Sequence, residues 1–205
     1  MLSHRDADHV GGAASVLAGM PVSGWASSLA DDHPLRARST PHQRCMAGQQ
    51  WTWDGVHFEV LHPTAADYTL GLKPNALSCV LRVRGAGSSA LLTGDIEAPQ
   101  EAALVQRAAD SLRSDVLLVP HHGSRTSSSA EFLAAVRPSI AVAPVGYRNR
   151  FGHPNAEVMG RYASMNVRIF RTDRDGAITV NLSEEGLGIM GARQQHRRYW
   201  HDSPT

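Results

Sequence analysis

Residues 1–12 of the chain read MLSHRDADHVGG, which is an apolar start, a run rich in histidine and aspartate, and a glycine pair. The start, Met1-Leu2-Ser3, is typical of the end of a strand. A tight turn after a strand can aim alternate side chains at one point while an adjacent pair reaches a second point, as a two-metal site requires. The predicted metal ligands in this run are His4, Asp6, Asp8 and His9. A charged, solvated turn is the alternative, and the density of ligand types before Gly11-Gly12 favours metal.

Three later segments place further ligand-type residues after predicted strands. Asp95 ends the apolar run 91–95, where a carboxylate is either a turn residue or a ligand shared by two metals. His121 and His122 follow the buried strand 115–119, and one should face the metals while the other faces substrate or solvent. The sequence leaves open which one does so. His153, in Phe151-Gly152-His153-Pro154, is a further ligand candidate.

A two-metal site predicts hydrolytic chemistry. One ion generates hydroxide near neutral pH, and a second ion about 3.5–4 Å away stabilises the leaving or non-bridging oxygen. Asp8 is the candidate for binding the second ion and orienting the attacking water. Asp8 is therefore a candidate catalytic residue, and His122 of the histidine pair is the second candidate.

The residues after the histidine pair suggest how a substrate could bind. Ser124 and Arg125 offer a hydroxyl, backbone amides and a guanidinium as a phosphate cradle near a helix start. A polar loop with a capping serine is the alternative for most of residues 124–129. Contact with DNA needs an arginine-lined groove, so Arg125, Arg148 and Arg150 lying beside the metals would favour a nuclease.

Composition describes a soluble globular protein. The 205 residues allow one domain, predicted as residues 1–192 with a disordered polar tail at 193–205. The balance of 20 basic against 19 acidic residues and the 42% hydrophobic content exclude a disordered or strongly nucleic-acid-coating chain. No window is long and apolar enough for a membrane span, and no signal-peptide core is seen. Cys45 and Cys79 are too few for a disulfide framework and are expected in the core.

The hydrophobic pattern predicts hairpins first and alternating strands and helices later. The predicted hairpins lie at 51–61, around Asp54-Gly55, and at 78–95, and a short helix covers 10–17. Helices 99–112, 130–136 and 156–164 alternate with strands 115–119, 140–144 and 167–170, and a last strand covers 177–182. This order favours an α/β (α+β) fold of mixed sheets covered by helices. Trp51, Trp53 and Phe58 are expected in the core, and residues 173–176 at a hairpin turn.

The run His4-x-Asp6-x-Asp8-His9-x-Gly11-Gly12 resembles the signature of the metallo-β-lactamase superfamily, in the form where aspartate replaces the usual second histidine. That form is similar to the hydrolase domain at the end of the ComEC/Rec2 DNA-uptake proteins. Other stretches agree with this resemblance over nearly the whole chain to about residue 182. They are residues 45–49, 51–56, 75–81, 92–97, 119–124, 152–154 and 172–177.

The resemblance implies an αββα sandwich with two divalent metal ions at one edge. It implies phosphodiester hydrolysis in natural transformation, with degradation of the DNA strand that does not enter the cell. Single-stranded DNA and a membrane channel region of a longer protein are the implied partners. The domain would lie at the outer, periplasmic face of the cytoplasmic membrane, or in the cytoplasm if expressed alone. Asp6 in place of a histidine hardens the site, which favours manganese, with zinc as the second choice.

The chain also departs from the family pattern. Family members have strands before the position of Leu2, so the resemblance implies an N-terminally truncated domain with an exposed sheet edge and a loosened site. Asn75 lies near where many members place another metal-binding histidine, which implies that one metal is held more weakly. Asn75 is also predicted as a substrate-binding residue. Two rival readings remain, a hydrolase of a small ester, lactam or thioester and a non-catalytic binding module. A module of the second kind would bind no stoichiometric metal.

Overall fold

The strands and helices below belong to a computed structural model, which describes residues 1–183, 186–196 and 198. The strands are β1 Trp25–Ser27, β2 His42–Arg44, β3 Gln50–Trp53, β4 Val56–His62, β5 Val80–Arg84, β6 Ser89–Leu92, β7 Val116–Leu118, β8 Ile140–Ala143, β9 Arg168–Arg171, β10 Ile178–Ser183 and β11 Gly186–Gly191. The helices are α1 Ala7–Val10, α2 Ala13–Gly19, α3 Ala98–Leu112, α4 Ala130–Val136, α5 Ala156–Ser164, α6 Thr172–Asp175 and α7 Ala192–Gln195.

A seven-stranded mixed sheet in the order β3-β4-β5-β6-β7-β8-β9 forms the frame of the molecule. Strands β3 to β6 are joined as antiparallel neighbours, and β6 to β9 run parallel. The predicted turn at Asp54-Gly55 is confirmed, and both residues have positive φ, as a two-residue hairpin turn requires. Because parallel strands end at the same edge, the segments after β6, β7 and β8 meet there.

The two faces of this sheet are covered differently. One face packs against α3, α4 and α5, in a core that includes Leu91, Leu117, Phe132 and Tyr162. The other face packs in part against the β10–β11 hairpin, whose Ile178, Val180, Leu182, Leu187 and Ile189 contact Ala90, Val116 and Phe170. The predicted mixed α/β organisation with helices over the sheet is confirmed. Strand β11 was not expected, because its glycine-rich sequence carries a weak strand pattern.

The segment before His4 is held on both sides. Leu2 forms a parallel bridge with Ser27 of β1, and β1 pairs in parallel with β2. On the other side the Cys79 amide donates to the Ser3 carbonyl at 2.9 Å. The backbone register that presents His4 is therefore fixed by neighbours within this chain. The expectation of a loosened site did not take these two contacts into account.

Part of the apolar inner face of the large sheet stays accessible. Leu92 is 38% exposed, and a cavity of about 230 Å³ opens between it, Leu2, Leu81 and Leu118. Trp51 and Trp53 are 41% and 69% exposed, so the expectation that both lie in the core is wrong. They sit on β3, the edge strand of the sheet, where no further strand covers them among the described residues.

Two other expectations need correction near the end of the chain. Residues 172–175 form helix α6, which connects β9 of the large sheet to β10 of a two-stranded sheet, so the expectation of a hairpin turn at 173–176 is wrong. The predicted disordered tail from Arg193 begins with helix α7, because the Arg193 guanidinium donates to the carbonyls of Asp173 and Arg174. Residues 197 and 199–205 of that predicted tail lie outside the described residues. Within the described part of the chain, no helix combines the length and the apolar character needed to cross a membrane.

Cys45 and Cys79 are both buried, as expected, but they form a disulfide, which the sequence reasoning did not predict. Their Cα atoms are 6.1 Å apart across a sequence separation of 34 residues. Cys45 follows β2 and Cys79 precedes β5, so the bond ties the small sheet to the large one. It closes a loop that contains the β3–β4 hairpin.

We expect reduction of this disulfide to lower the free energy of unfolding by about 2–4 kcal/mol, because the open loop gains entropy in the unfolded chain. Urea unfolding with and without dithiothreitol measures the difference. The double variant Cys45→Ser, Cys79→Ser is the control and should not respond to the reductant. Equal midpoints for the oxidised and reduced wild-type protein would contradict the expectation.

Candidate metal centre

Asp95 is positioned by the preceding residue, Gly94, where three segments of the chain come close together. Gly94 has a φ of 56°, and a Cβ atom there would lie 2.9 Å from the Cβ atoms of both Ser3 and Ser78. Such contacts are too short for any side chain, so only glycine fits this position. Ser3 and Ser78 thereby flank the turn that carries Asp95, which is 5% exposed.

The Asp95 carboxylate faces histidines from two other segments. Its Oδ1 lies 3.3 Å from His9 Nε2, and its Oδ2 lies 3.4 Å from His122 Nε2 and 3.9 Å from His4 Nε2. The structure thus brings Asp95 together with the predicted ligands of the N-terminal run, His4 and His9, and with His122 of the histidine pair. A carboxylate placed in this way can bridge two cations.

Two groups of ligand atoms are compact enough to hold a metal ion. His4, His9 and Asp95 form one group, and Asp8, His9 and His122 form the other, with the ligand atoms of each group within 4.8 Å of one another. The first group is largely buried. In the second, the Asp8 side chain is 63% exposed, and its Oδ2 lies 3.2 Å from His122 Nε2. The centre is therefore closed on one side and open to solvent on the other.

One buried atom shows that these residues fit a cation. His4 is 1% exposed, and its Nε2 has no hydrogen-bond partner. That nitrogen lies 3.6 Å from Asp6 Oδ2 and faces Asp95 as well. A buried polar atom without a partner is unfavourable, and a metal bound between the imidazole and the carboxylates would satisfy it. Imidazole and carboxylate donors together suit zinc, iron and manganese.

Groups outside the ligand set fix the ring orientations. Ser3 Oγ lies 3.1 Å from His4 Nδ1 and 3.0 Å from His9 Nδ1. Ser78 Oγ lies 3.2 Å from His4 Nδ1 and accepts the Asp95 amide at 3.0 Å. An imidazole that donates through Nδ1 turns its Nε2 lone pair toward the metal, so the two serines act as positioning residues.

The histidine pair sits in a left-handed turn, which separates the two rings. His121 and His122 have φ values of 47° and 54°, and Gly123 follows with 80°. A non-glycine residue in this region costs of order 1–3 kcal/mol, and such strain clusters at functional sites. The turn is held by the His121 amide, which donates to the Gly94 carbonyl at 3.1 Å. A Cβ atom at Gly123 would lie 2.6 Å from Pro154 Cβ, so glycine is also required there.

The surroundings of the two rings favour His122 as the ligand. Its Nδ1 donates to the Pro144 carbonyl at 2.7 Å, which leaves Nε2 free toward Asp8 and Asp95. His121 Nδ1 lies 3.2 Å from Glu97 Oε1, and its Nε2 lies 3.3 Å from Asn75 Nδ2 and 3.9 Å from Asp95 Oδ2. His121 is therefore farther from Asp95 than His122 is, and it belongs to neither ligand group.

Electrostatic coupling in the cluster is strong. Burial alone would raise the pKa of Asp95, but contacts with His122 and His9 lower it below its ordinary range. The same contact with Asp95 raises the pKa of His122 to about 9. Burial, followed by the neighbouring His9, lowers the pKa of His4. His122 is thus protonated at neutral pH without metal, and metal binding there must displace that proton.

Other predicted site residues lie nearby but outside both ligand groups. Asp6 contacts only His4 among the histidines of the groups. His153 packs its ring against His121 with a centroid separation of 6.0 Å, and Asn75 contacts His121. His153 and Asn75 form the rim of the centre on the side of His121.

The predicted phosphate cradle is only partly available. Ser124 is 8% exposed, and its Oγ lies 3.0 Å from Thr126 Oγ1. This pairing favours a structural role for Ser124, because its hydroxyl is already used within the loop. Arg125, the next residue, is exposed.

Sequence reasoning missed three contributors, Ser3, Ser78 and Glu97. Ser3 stood directly before the ligand run, but a serine there carries no ligand signal of its own. Glu97 was not singled out because it lies at the start of helix α3, where its side chain forms a capping box with Gln100. Only the folded chain shows that Glu97 also contacts His121.

Comparison with known proteins agrees with this geometry. The model of the metallo-beta-lactamase superfamily matches residues 1–147. The chain therefore belongs to the metallo-beta-lactamase superfamily. The fold agrees as well: a candidate metal-dependent hydrolase of Parabacteroides distasonis superposes with a TM-score of 0.53 at 13% identity, covering 84% of this chain and 74% of that one.

Within the superfamily, the chain is homologous over its whole length to part of the competence proteins of the ComEC/Rec2 family. It is 38% identical to Competence protein ComA of Neisseria gonorrhoeae over 204 residues, which are 100% of this chain and 28% of that protein. It is 35% identical to Recombination protein 2 of Haemophilus influenzae, with 94% of this chain and 23% of that protein covered. The chain spans about a quarter of the length of these relatives.

We expect Ser78→Ala to weaken metal binding about 10–100-fold, because it frees the His4 ring and removes the acceptor of the Asp95 amide. Competition with a chromophoric chelator measures the affinity. Ser88→Ala is the matched control, since Ser88 is a buried serine whose Oγ has no hydrogen-bond partner. If both variants bind metal like the wild type, Ser78 does not position the centre.

Proposed function

We propose that this chain is a metal-dependent phosphodiesterase domain that cleaves DNA as part of a ComEC/Rec2-like uptake protein. In this proposal it degrades the strand that is not transported during natural transformation. The observation that carries the proposal is the buried Asp95 carboxylate, which faces His4, His9 and His122 from two other segments. A structural turn residue would not need three imidazoles around it.

Two divalent ions are proposed, with manganese favoured over zinc. His4, Asp6, His9 and Asp95 would hold one ion at the buried side, and Asp8, His122 and the shared Asp95 would hold the other. When bound, the ions would supply Lewis-acid activation of water and neutralise charge on the phosphate. Asp8 is exposed at the mouth of the centre, where its carboxylate can accept a hydrogen bond from the attacking water and orient it.

The biological setting is proposed from the relatives and from one feature of this chain. Relatives named for competence and recombination match it along its whole length. The chain contains the Cys45–Cys79 disulfide, and disulfides form and persist mainly in oxidising compartments. Both support a domain at the outer face of the cytoplasmic membrane, beside the channel region of a longer protein, with single-stranded DNA as substrate.

Two measurements separate this proposal from its rivals. Metal titration of the purified chain should give stoichiometric binding, whereas a non-catalytic module would bind none. Hydrolysis of bis(p-nitrophenyl) phosphate and of labelled DNA should exceed that of ester, thioester and lactam substrates. A preference for one of the small acyl substrates would reject the phosphodiesterase assignment.

We expect Asp8→Asn to lower phosphodiester hydrolysis by at least about two orders of magnitude with little loss of stability, because it removes ligand charge at an exposed position. Initial rates at saturating manganese and thermal unfolding are the measurements. Asp54→Asn is the control, since Asp54 is an exposed aspartate in the β3–β4 turn. Unchanged turnover of Asp8→Asn would remove Asp8 from the catalytic residues.

We expect manganese to support a higher rate than zinc in the wild type, and Asp6→His to shift the preference toward zinc, because imidazole is a softer donor than carboxylate. The ratio of the two metal-supported rates is compared between the proteins. The same metal ranking in both would show that Asp6 is not a ligand.

A further inference from the structure

We propose that the loop 146–153 is a binding platform for single-stranded DNA, which stacks bases on Tyr147 and Phe151 and contacts phosphates through Arg148 and Arg150. The proposal rests on the phosphodiesterase function above and adds the residues that would hold the strand beside the metal centre.

The loop presents aromatic rings to solvent. Tyr147 is 59% exposed and Phe151 is 68% exposed. Exposed aromatic rings of this size leave apolar surface in water, and they are typical of positions that stack on a ligand. An exposed ring can stack on any base, which gives sequence-tolerant binding of a single strand.

Each ring carries an arginine. The Cζ atom of Arg148 lies 5.2 Å from the Tyr147 ring centre, and that of Arg150 lies 4.9 Å from the Phe151 ring centre. Within the described part of the chain, neither guanidinium has a carboxylate within salt-bridge distance. Both positive charges are therefore available to a phosphate, and each lies within cation–π distance of its ring.

A series of ring contacts joins the platform to the metal centre. Phe151 stacks on His153 with centroids 5.8 Å apart and planes 20° apart. His153 contacts His121 at 6.0 Å, and His121 contacts His122 at 6.4 Å. A base stacked on Phe151 would therefore lie within a few ring contacts of His122, which places the loop beside the candidate metal centre.

The loop is fixed in this place. The Asn149 amide group donates to the His153 carbonyl at 2.7 Å, and Asn149 Oδ1 accepts the His153 amide at 2.9 Å. The Asn155 amide donates to the Gly123 carbonyl at 2.8 Å, which ties the end of the loop to the histidine turn. Because the platform is ordered before binding, less conformational entropy is lost when a strand docks.

The chemistry favours a single strand over a duplex. Bases in a duplex are already stacked on each other and offer no free face to Phe151, whereas an unpaired strand exposes both bases and phosphates. Duplex DNA would use only the arginines, and its binding would depend little on the aromatic rings.

The test measures binding separately from cleavage. Fluorescence anisotropy of a labelled oligothymidylate is recorded with the full chain in a chelator, where metal-dependent hydrolysis cannot occur. We expect the Arg150→Ala, Phe151→Ala variant to bind at least about fivefold more weakly, as the loss of one stacked base predicts. Loss of one phosphate contact should also reduce the slope of log affinity against log salt by about 0.7. Phe151→Trp should retain the wild-type affinity, because it keeps a stacking ring.

The matched control is the Arg84→Ala, Trp53→Ala variant. It removes one exposed ring from the edge strand β3 and one exposed positive charge from β5, away from the loop 146–153. Binding of the control should stay within about twofold of the wild type, since nonspecific loss of one charge is a small effect. Equal affinities for the wild type and the loop variant, or equal losses in the loop variant and the control, would overturn the platform.

Different experimental outcomes would reject the proposed function and the platform. Loop-dependent binding without any metal-dependent cleavage would reject the phosphodiesterase but keep the platform. Metal-dependent DNA cleavage with unchanged binding in the loop variant would reject the platform and keep the phosphodiesterase. A loop variant that weakens duplex and single-stranded DNA by the same factor would reject base stacking. Circular dichroism of each variant checks that it is folded, which the exposure of Tyr147, Phe151 and Trp53 favours.

Discussion

The charge of the buried Asp95 carboxylate is the constraint around which this edge of the molecule is built. A carboxylate that is 5% exposed would be unfavourable without a compensating positive charge. His122 supplies it without metal, and its pKa is raised to about 9 by that contact. A divalent ion would supply it more strongly and would replace the proton. The same interaction therefore explains why the imidazoles gather here and why a cation fits.

Bringing these groups together requires backbone conformations that only tertiary contacts can hold. The turn of Gly94 fits against Ser3 and Ser78, and the left-handed turn at His121 and His122 is fixed by a hydrogen bond to Gly94. These turns follow β6 and β7, which end at the same edge because they run parallel. The cost of the strained turns, of order 1–3 kcal/mol per residue, is offset by the sheet that anchors them.

Whether a feature could be predicted depends on how far apart in sequence its interacting residues lie. Local patterns were sufficient for the hairpin at Asp54-Gly55 and for helix α3, because each signal lies within a few residues. The metal-ligand role of the run from His4 to His9 stays a prediction. Contacts between distant segments could not be read in this way. The Cys45–Cys79 pairing depends on the packing of two sheets, and the exposure of Trp51 depends on β3 being an edge strand. The roles of Ser78 and Glu97 are set by neighbours that are far away in sequence.

The asymmetry of the centre suggests how its two tasks are separated. His4 and Asp95 are buried beside Ser3 and Ser78, where low polarity would strengthen the binding of a cation. Asp8 and the rim of His121 and His153 are open, and the arginine-bearing loop continues that rim. In the proposed function, a negatively charged strand would approach from the side where positive charge and exposed rings are available. Because the buried groups would not need to move for this approach, substitutions at the rim would change substrate binding without changing metal binding.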